Sequence, residues 1–278
     1  MNIKITILAD NTASSNYLAE WGFSALIETD GRKILFDAGR SFTAHHNAKI
    51  AGKNLKDLDA IVLSHGHYDH TGGLINILKS SSKEVKVIAH PAVFNKKYSA
   101  RTPGSKPKYI GIPCTKEEIE AEKVSVILTQ LPYELSDTIV TTGEIPLKTV
   151  FECPDKNLLE EKNGNYFPDP FMDDLALVIN SSSGLVIIAG CSHRGIINGV
   201  KQAQAVTGVA KIRAVVGGFH LHSAPKKQIE RTAETLKGMQ VNMIAPGHCT
   251  GMDACCSLKN TFGGSFSLLT AGRQIHLS

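Results

Sequence analysis

Within six positions, the stretch Ser64-His65-Gly66-His67-Tyr68-Asp69-His70-Thr71-Gly72-Gly73-Leu74 carries three imidazoles and a carboxylate. Zinc, iron and manganese bind such a mixture of nitrogen and oxygen donors. In an extended segment residues i and i+2 point the same way, so His65 and His67 can chelate one ion. Asp69 and His70, placed where the chain turns, can reach a second ion beside it. The glycines let backbone come close to the site with no Cβ in the way. The chemistry this predicts is metal-assisted hydrolysis: an ion lowers the pKa of a bound water towards neutrality and polarises a carbonyl or phosphoryl oxygen. Asp69 would hold metal and also orient the nucleophile or accept its proton.

The elements around this stretch would place it at a turn from strand to helix. Ala60-Ile61-Val62-Leu63 is a short apolar run fit for a buried strand, and 74–79 reads as the first turns of a helix. Three later strands end in a histidine near glycine. The strand 184–189 runs into Gly190-Cys191-Ser192-His193-Arg194-Gly195, the strand 212–216 into Gly217-Gly218-Phe219-His220-Leu221, and the strand 241–245 into Pro246-Gly247-His248-Cys249-Thr250-Gly251. Strand ends on one edge are where α/β folds assemble their sites, so His193, His220 and His248 can converge on the first motif. We expect His193 and His248 to be ligands and His220 to face the substrate. Arg194, whose planar fork suits phosphate, is a second candidate for contact with an anionic group. Cys191 can act as a thiolate ligand or as a small buried apolar residue. Asp174, at the start of the strand 173–180, is a candidate ligand or an acid in solvent. His45 and His46 are adjacent on a helix and do not share a face; adjacent Cys255 and Cys256 make a poor chelate.

Further strands are expected at 3–8, 23–28, 33–36, 84–89, 124–128 and 147–151, and helices at 42–51, 116–123, 197–206, 226–239 and 254–262. The turn Thr29-Asp30-Gly31-Arg32 has hairpin chemistry. Asp37-Ala38-Gly39 ends a strand, where Asp37 reads either as a catalytic acid or as a loop cap that orients the metal ligands. Periodicity fades over 91–170, a segment punctuated by prolines from Pro103 to Pro170. It is expected as an insertion in a single domain spanning 1–278, serving as a lid or as a contact between copies in a homo-oligomer. Its basic residues Lys96, Lys97, Arg101, Lys106 and Lys108 read as a solvated loop.

The 278 residues, 42% hydrophobic and 20% charged, are ordinary for a globular protein. A formal charge of +4 gives no case for a nucleic-acid or membrane surface but tolerates an anionic small-molecule substrate. The six cysteines show no disulfide framework, and the N-terminal segment alternates like a strand rather than a secretory signal, so a cytoplasmic location is expected.

The first motif resembles the His-x-His-x-Asp-His signature of the metallo-β-lactamase superfamily. The resemblance implies an α/β fold, a four-layer αββα sandwich, with one or two divalent ions, most often zinc, with manganese or iron as alternatives, at one edge of its sheets. It implies the ligands His65, His67, Asp69, His70 and His248. The chain departs from the pattern at Gly-Cys-Ser-His, where relatives normally carry Gly-Asp, which puts Cys191 in the place of a bridging carboxylate. Together with the Asp10-Asn11 loop, the three later motifs resemble a branch described as 7,8-dihydropterin-6-methyl-4-(β-D-ribofuranosyl)aminobenzene-5′-phosphate synthase-like. The expected function is therefore hydrolysis of an ester or phosphoester by a metal-activated water. The alternatives are condensation of a pterin-methyl diphosphate with an aminobenzene ribotide, releasing pyrophosphate, and metal-dependent ligand binding without turnover.

Overall fold

The computed structural model describes residues 1–101 and 105–278; Pro103 lies outside them. Two sheets face each other. One has seven strands in the order Gln274–Leu277, Ile3–Ala9, Ser24–Thr29, Arg32–Phe36, Ala60–Val62, Val85–Ala89, Val124–Leu128; the other has six, in the order Ile244–Gly247, Ile212–Gly218, Gly184–Ala189, Ala176–Ser181, Ile139–Thr141, Glu134–Ser136.

Period-two alternation sorts the strands' side chains into layers. Ile5, Ile7, Ile27, Ile34 and Ile88 from the first sheet meet Leu177, Ile179, Val186, Ile188 and Val216 from the second in the central layer. Leu8, Leu26, Leu35, Ile61 and Val87 point the other way, against Ala44, Ala48, Leu74, Ile77 and Ile119 from helices and a loop-borne Leu58. On the far side Val178, Ile187 and Val215 pack on Ile197, Val200, Ala233, Leu236 and Leu258 of the helices Ile196–Thr207, Lys226–Gly238 and Met252–Phe262. The result is helix, sheet, sheet, helix, the expected αββα sandwich. A central residue such as Ile188 is fully buried, and truncating it to alanine costs about 2–5 kcal/mol.

The segment 91–170 is not one insertion. Its middle supplies Val124–Leu128 to the first sheet and Glu134–Ser136 with Ile139–Thr141 to the second. Its flanks pair with each other as a separate four-stranded sheet, in the order Asn165–Pro168, Leu158–Lys162, Lys97–Ser99, Lys108–Tyr109. The strand expected at 147–151 is a loop, because the amides of Lys148 and Thr149 donate to Asn198 Oδ1, each at 2.9 Å, instead of to a neighbouring strand. Among the described residues no helix is long and apolar enough to cross a membrane.

Arg32–Phe36 runs parallel to Ala60–Val62, and Gly184–Ala189, Ile212–Gly218 and Ile244–Gly247 run parallel to one another. Parallel pairing brings the C-terminal ends of these strands to common edges, where their loops carry Asp37, the His65 turn, Cys191 with His193, His220 and His248.

Candidate metal centre and substrate cavity

His65, His67, Asp69, His70, Cys191, His193 and His248 are all buried. Their donor atoms fall into overlapping clusters in which every atom lies within 4.8 Å of the others: His65 with His67 and His193, Asp69 with His70 and His248, and Cys191 beside either set through His65–His70 or His193–His220. The structure thus brings together the contiguous motif and the remote residues 193 and 248. His220, expected at the substrate, also comes within ligand distance of Cys191 and His193.

Outer hydrogen bonds fix which nitrogen of each ring faces inward. Asp37, fully buried at its strand end, accepts Ser64 N–H and Ser64 Oγ–H, both at 2.7 Å, and His70 Nδ1–H at 2.6 Å. Ser64 Oγ in turn lies 2.9 Å from His65 Nδ1. The expected orienting role of Asp37 is therefore what its contacts perform. On the opposite side Asp10 accepts His248 N–H at 2.9 Å, and Asn11 Oδ1 lies 3.0 Å from His248 Nδ1.

With their Nδ1 atoms occupied, these rings turn Nε2 inward. His70 Nε2 stands 3.1 Å from His248 Nε2 and 3.1 Å from Cys191 Sγ, while His193 Nε2 stands 3.2 Å from His65 Nε2. Nε2 of His67, Nδ1 of His193 and both ring nitrogens of His220 are buried with no partner. Burial, reinforced by neighbouring histidines, holds His65 and His193 well below the ordinary imidazole range and therefore neutral. Burial does the same to His67 against the pull of Asp69. The neutral lone pairs of His65 and His193, facing each other at 3.2 Å, repel one another and cost desolvation unless a cation sits between them. The donor set fits one or two divalent ions.

Charge follows the same logic. Burial alone would raise the Asp69 carboxyl, but His70 and His248 around it hold it well below the usual carboxylate range. Burial opposes charge on His248, yet Cys249, Asp69 and Asp10 push it up to about 9. This corner of the site attracts positive charge. The backbone is also strained here: Asp37, Phe171, Ser192, His220 and His248 all adopt positive φ, a conformation costing of order 1–3 kcal/mol per residue that folds retain mainly at functional sites. A Cβ on Gly190 would lie 2.0 Å from Ser64 Oγ, so only glycine lets the Cys191 loop pass the His65 turn.

Two expectations are corrected. Asp174 is not a ligand: its carboxylate accepts the Arg194 amide at 2.8 Å and stays outside every donor cluster. Burial pushes it up to about 8. Arg194 does not face substrate, because its guanidinium is spent on the carbonyls of Ile145 and Pro170 and it does not line the cavity. Together these two residues pin the loop carrying His193.

Other participants carried only an indirect signal in the sequence. Lys97, grouped with the solvated loop, is 1% exposed and donates to Asp169 and Asp173 at 2.8 and 2.9 Å; Asp173 also accepts the Gly66 amide at 2.7 Å. Phe171 stacks on His193 with ring centroids 4.0 Å apart. A clue was the acid-rich run Asp169-Pro170-Phe171-Met172-Asp173-Asp174, which in an apolar setting demands a basic partner.

The centre opens on a cavity of about 260 Å³. His67, Asp69, Cys191, His193, His220 and His248 form its floor, and Trp21, Arg101, Lys108 and His222 belong to its walls. Arg101 donates to Asp155 at 2.8 Å and lies 3.1 Å from His222 Nε2. Trp21, 43% exposed, has its ring 5.6 Å from that of His248.

Comparison with known proteins agrees with this geometry. Residues 22–159 match the model of the metallo-beta-lactamase superfamily. A 7,8-dihydropterin-6-methyl-4-(beta-D-ribofuranosyl)-aminobenzene-5′-phosphate synthase of Methanocaldococcus jannaschii is 37% identical, over 99% of this chain and 96% of that one. The crystal structure of Tm1679, a metal-dependent hydrolase of the beta-lactamase superfamily, superposes with a TM-score of 0.86 at 29% identity, covering 99% of each chain. The metallo-beta-lactamase fold protein YhfI of Bacillus subtilis shares the fold at a TM-score of 0.59 and 13% identity. On the strength of a full-length relative and of the motif match, the chain belongs to the metallo-beta-lactamase superfamily.

Proposed function

We propose that the protein is a metal-dependent hydrolase acting on a small anionic ester, with phosphoesters as the leading class. The observation that carries this reading is the pair of donor sets, His65–His67–His193 and Asp69–His70–His248, of which His67, Asp69, His193 and His248 line a cavity that Arg101 and Lys108 also line. Divalent ions held there, zinc above all, would acidify a water and polarise the oxygen that gains negative charge. Cys191, within ligand distance of both sets, would take the place of a bridging carboxylate. Asp69, ionised and with Oδ2 3.5 Å from His248 Nε2, would orient the nucleophile or accept its proton. Arg101 and Lys108 would fix the anionic part of the substrate, and His220 would lie between substrate and metal.

The second reading, condensation of a pterin-methyl diphosphate with an aminobenzene ribotide, is favoured by the 37% identity to the pterin-linked synthase. The same centre would then stabilise the departing diphosphate, with Arg101 and Lys108 holding it. The deciding experiment uses zinc-, manganese- and iron-reconstituted protein, assayed on generic phosphodiesters and on the pterin and amine pair. Turnover of diesters, reduced at least a hundredfold by His67→Ala, supports hydrolysis. Product only when both pterin and amine are present supports the transferase. Binding with no turnover under any metal overturns both. Elemental analysis of His193→Ala and Cys191→Ala beside wild type tests the ligand sets; metal content indifferent to both changes would remove residues 191 and 193 from the centre.

A further inference from the structure

Cys191 and Cys249 come together across a strand to which neither belongs. Each stands two residues past the end of its own strand, Gly184–Ala189 for the first and Ile244–Gly247 for the second, and Ile212–Gly218 runs between those strands. Glycine at position 218 leaves the gap in which they meet: a Cβ there would lie 2.7 Å from Cys249 Sγ and 3.4 Å from Cys191 Cα. Cys249 Sγ–H donates to the Cys191 carbonyl at 3.5 Å. The two sulfurs and a ring nitrogen of His248 all lie within 4.8 Å of one another. Both thiols are free and buried, 3% and 2% exposed, yet both line the metal cavity, so a small solute in that cavity reaches them. Cys249 stands outside the two histidine donor sets, and nothing in the proposed reaction uses it.

We infer that Cys191 and Cys249 form a redox-active dithiol, a modification site that a peroxide closes to a disulfide, and that closure and metal binding exclude each other. The exclusion rests on the proposed function, in which Cys191 is a ligand; the dithiol rests on the two sulfurs alone. The chemistry balances with hydrogen peroxide as the oxidant. One thiol attacks the peroxide, the O–O bond breaks, and that sulfur becomes a sulfenic acid while the other oxygen leaves as water. The second thiol displaces the sulfenic oxygen as a second water, and the S–S bond forms. Each sulfur gives up one electron, the peroxide takes up two, and the two thiol protons leave in the water. Sulfur in a disulfide is no longer a thiolate, the form that binds a metal. His70, whose Nε2 stands 3.1 Å from Cys191 Sγ, and the His193–His220 side would then lose the donor they share. Cys249 also guards its neighbour, because a sulfenic acid captured as a disulfide is recoverable and one left alone goes on to sulfinic acid.

The test treats the full chain, freed of metal by chelation, with a small excess of hydrogen peroxide, followed by alkylation and peptide mapping by mass spectrometry without reduction. A peptide linking Cys191 to Cys249 should be the main product and should disappear on treatment with a phosphine reductant. Zinc loaded beforehand should slow its formation about tenfold, because bound sulfur is not free to react. The oxidised protein should bind zinc about tenfold more weakly until it is reduced, as loss of a ligand predicts. In Cys249→Ser the link should vanish, and zinc affinity lost to peroxide should no longer return on reduction. Absence of the linked peptide from wild-type protein, under peroxide that oxidises the exposed Cys153 and Cys256, would overturn the dithiol and leave the proposed reaction untouched. That map needs no variant to fold. A link that forms equally fast with and without zinc would overturn the exclusion and take Cys191 out of the metal centre, leaving the dithiol standing. Zinc binding restored by reduction of oxidised Cys249→Ser would overturn the guarding role.

Discussion

Two buried polar clusters lie side by side in this molecule, and they are satisfied in opposite ways. In one, Lys97 donates to both Asp169 and Asp173, and Asp173 also takes the Gly66 amide. Each carboxylate has a donor and the ammonium has two acceptors. In the other, imidazole nitrogens and a thiol face one another at 3.1–3.2 Å, and further ring nitrogens have no partner. The first cluster is complete within the chain; the second is complete only with cations. They touch, because Lys97 lies 5.1 Å from the Phe171 ring that stacks on His193, and Asp173 holds the Gly66 backbone between His65 and His67. The comparison teaches how to tell a brace from a binding site: both are buried and polar, and partner count separates them.

The contrast can be broken most forcefully at Lys97. Lys97→Met should leave Asp169 and Asp173 buried without their cation and cost about 3–5 kcal/mol in urea unfolding. A loss under about 1 kcal/mol would mean that the brace is not needed. Chelation comes next. Removing bound metal should lower stability by about 2–4 kcal/mol, as for any ligand present well above its dissociation constant and binding only the folded chain. Calorimetry would show this as a lowered Tm restored by zinc; an unchanged Tm would place the histidine cluster with the self-sufficient one. The finest test is Asp37→Asn, which weakens the hold on His70 and Ser64 without touching a donor atom. Metal affinity should fall about ten- to a hundredfold, read by competition with a fluorescent chelator, while the melting of the metal-free protein changes little. Unaltered affinity would show that ring orientation is not set by Asp37.

The sequence by itself determined the layered fold and the nucleus of the site. Alternation in 3–8, which puts Ile3, Ile5 and Ile7 on one face, is a local property, and it sorts side chains to the two faces of a sheet whatever the neighbouring strand. The spacing of His65, His67, Asp69 and His70 is local too, because a strand running into a turn points those residues into one small volume. The glycine-bounded histidines 193, 220 and 248 were legible as strand ends on one edge, since parallel strands share an edge.

Tertiary structure alone decided the remainder. Arg194 and Asp174 have the right chemistry for a site, but the loop geometry turns them towards each other and towards the Ile145 and Pro170 carbonyls. Lys97 sits among solvent-facing lysines in sequence, yet the pairing of Lys97–Ser99 with Leu158–Lys162 sets it over acids more than 70 residues away. The segment 91–170 looked like one insertion because periodicity fades across its prolines; yet Val124–Leu128 pairs with Val85–Ala89 of the first sheet and Ile139–Thr141 with Ala176–Ser181 of the second. Register and pairing between distant segments depend on which surfaces remain to be buried once local elements have formed, and that information is carried by the whole chain rather than by any stretch of it.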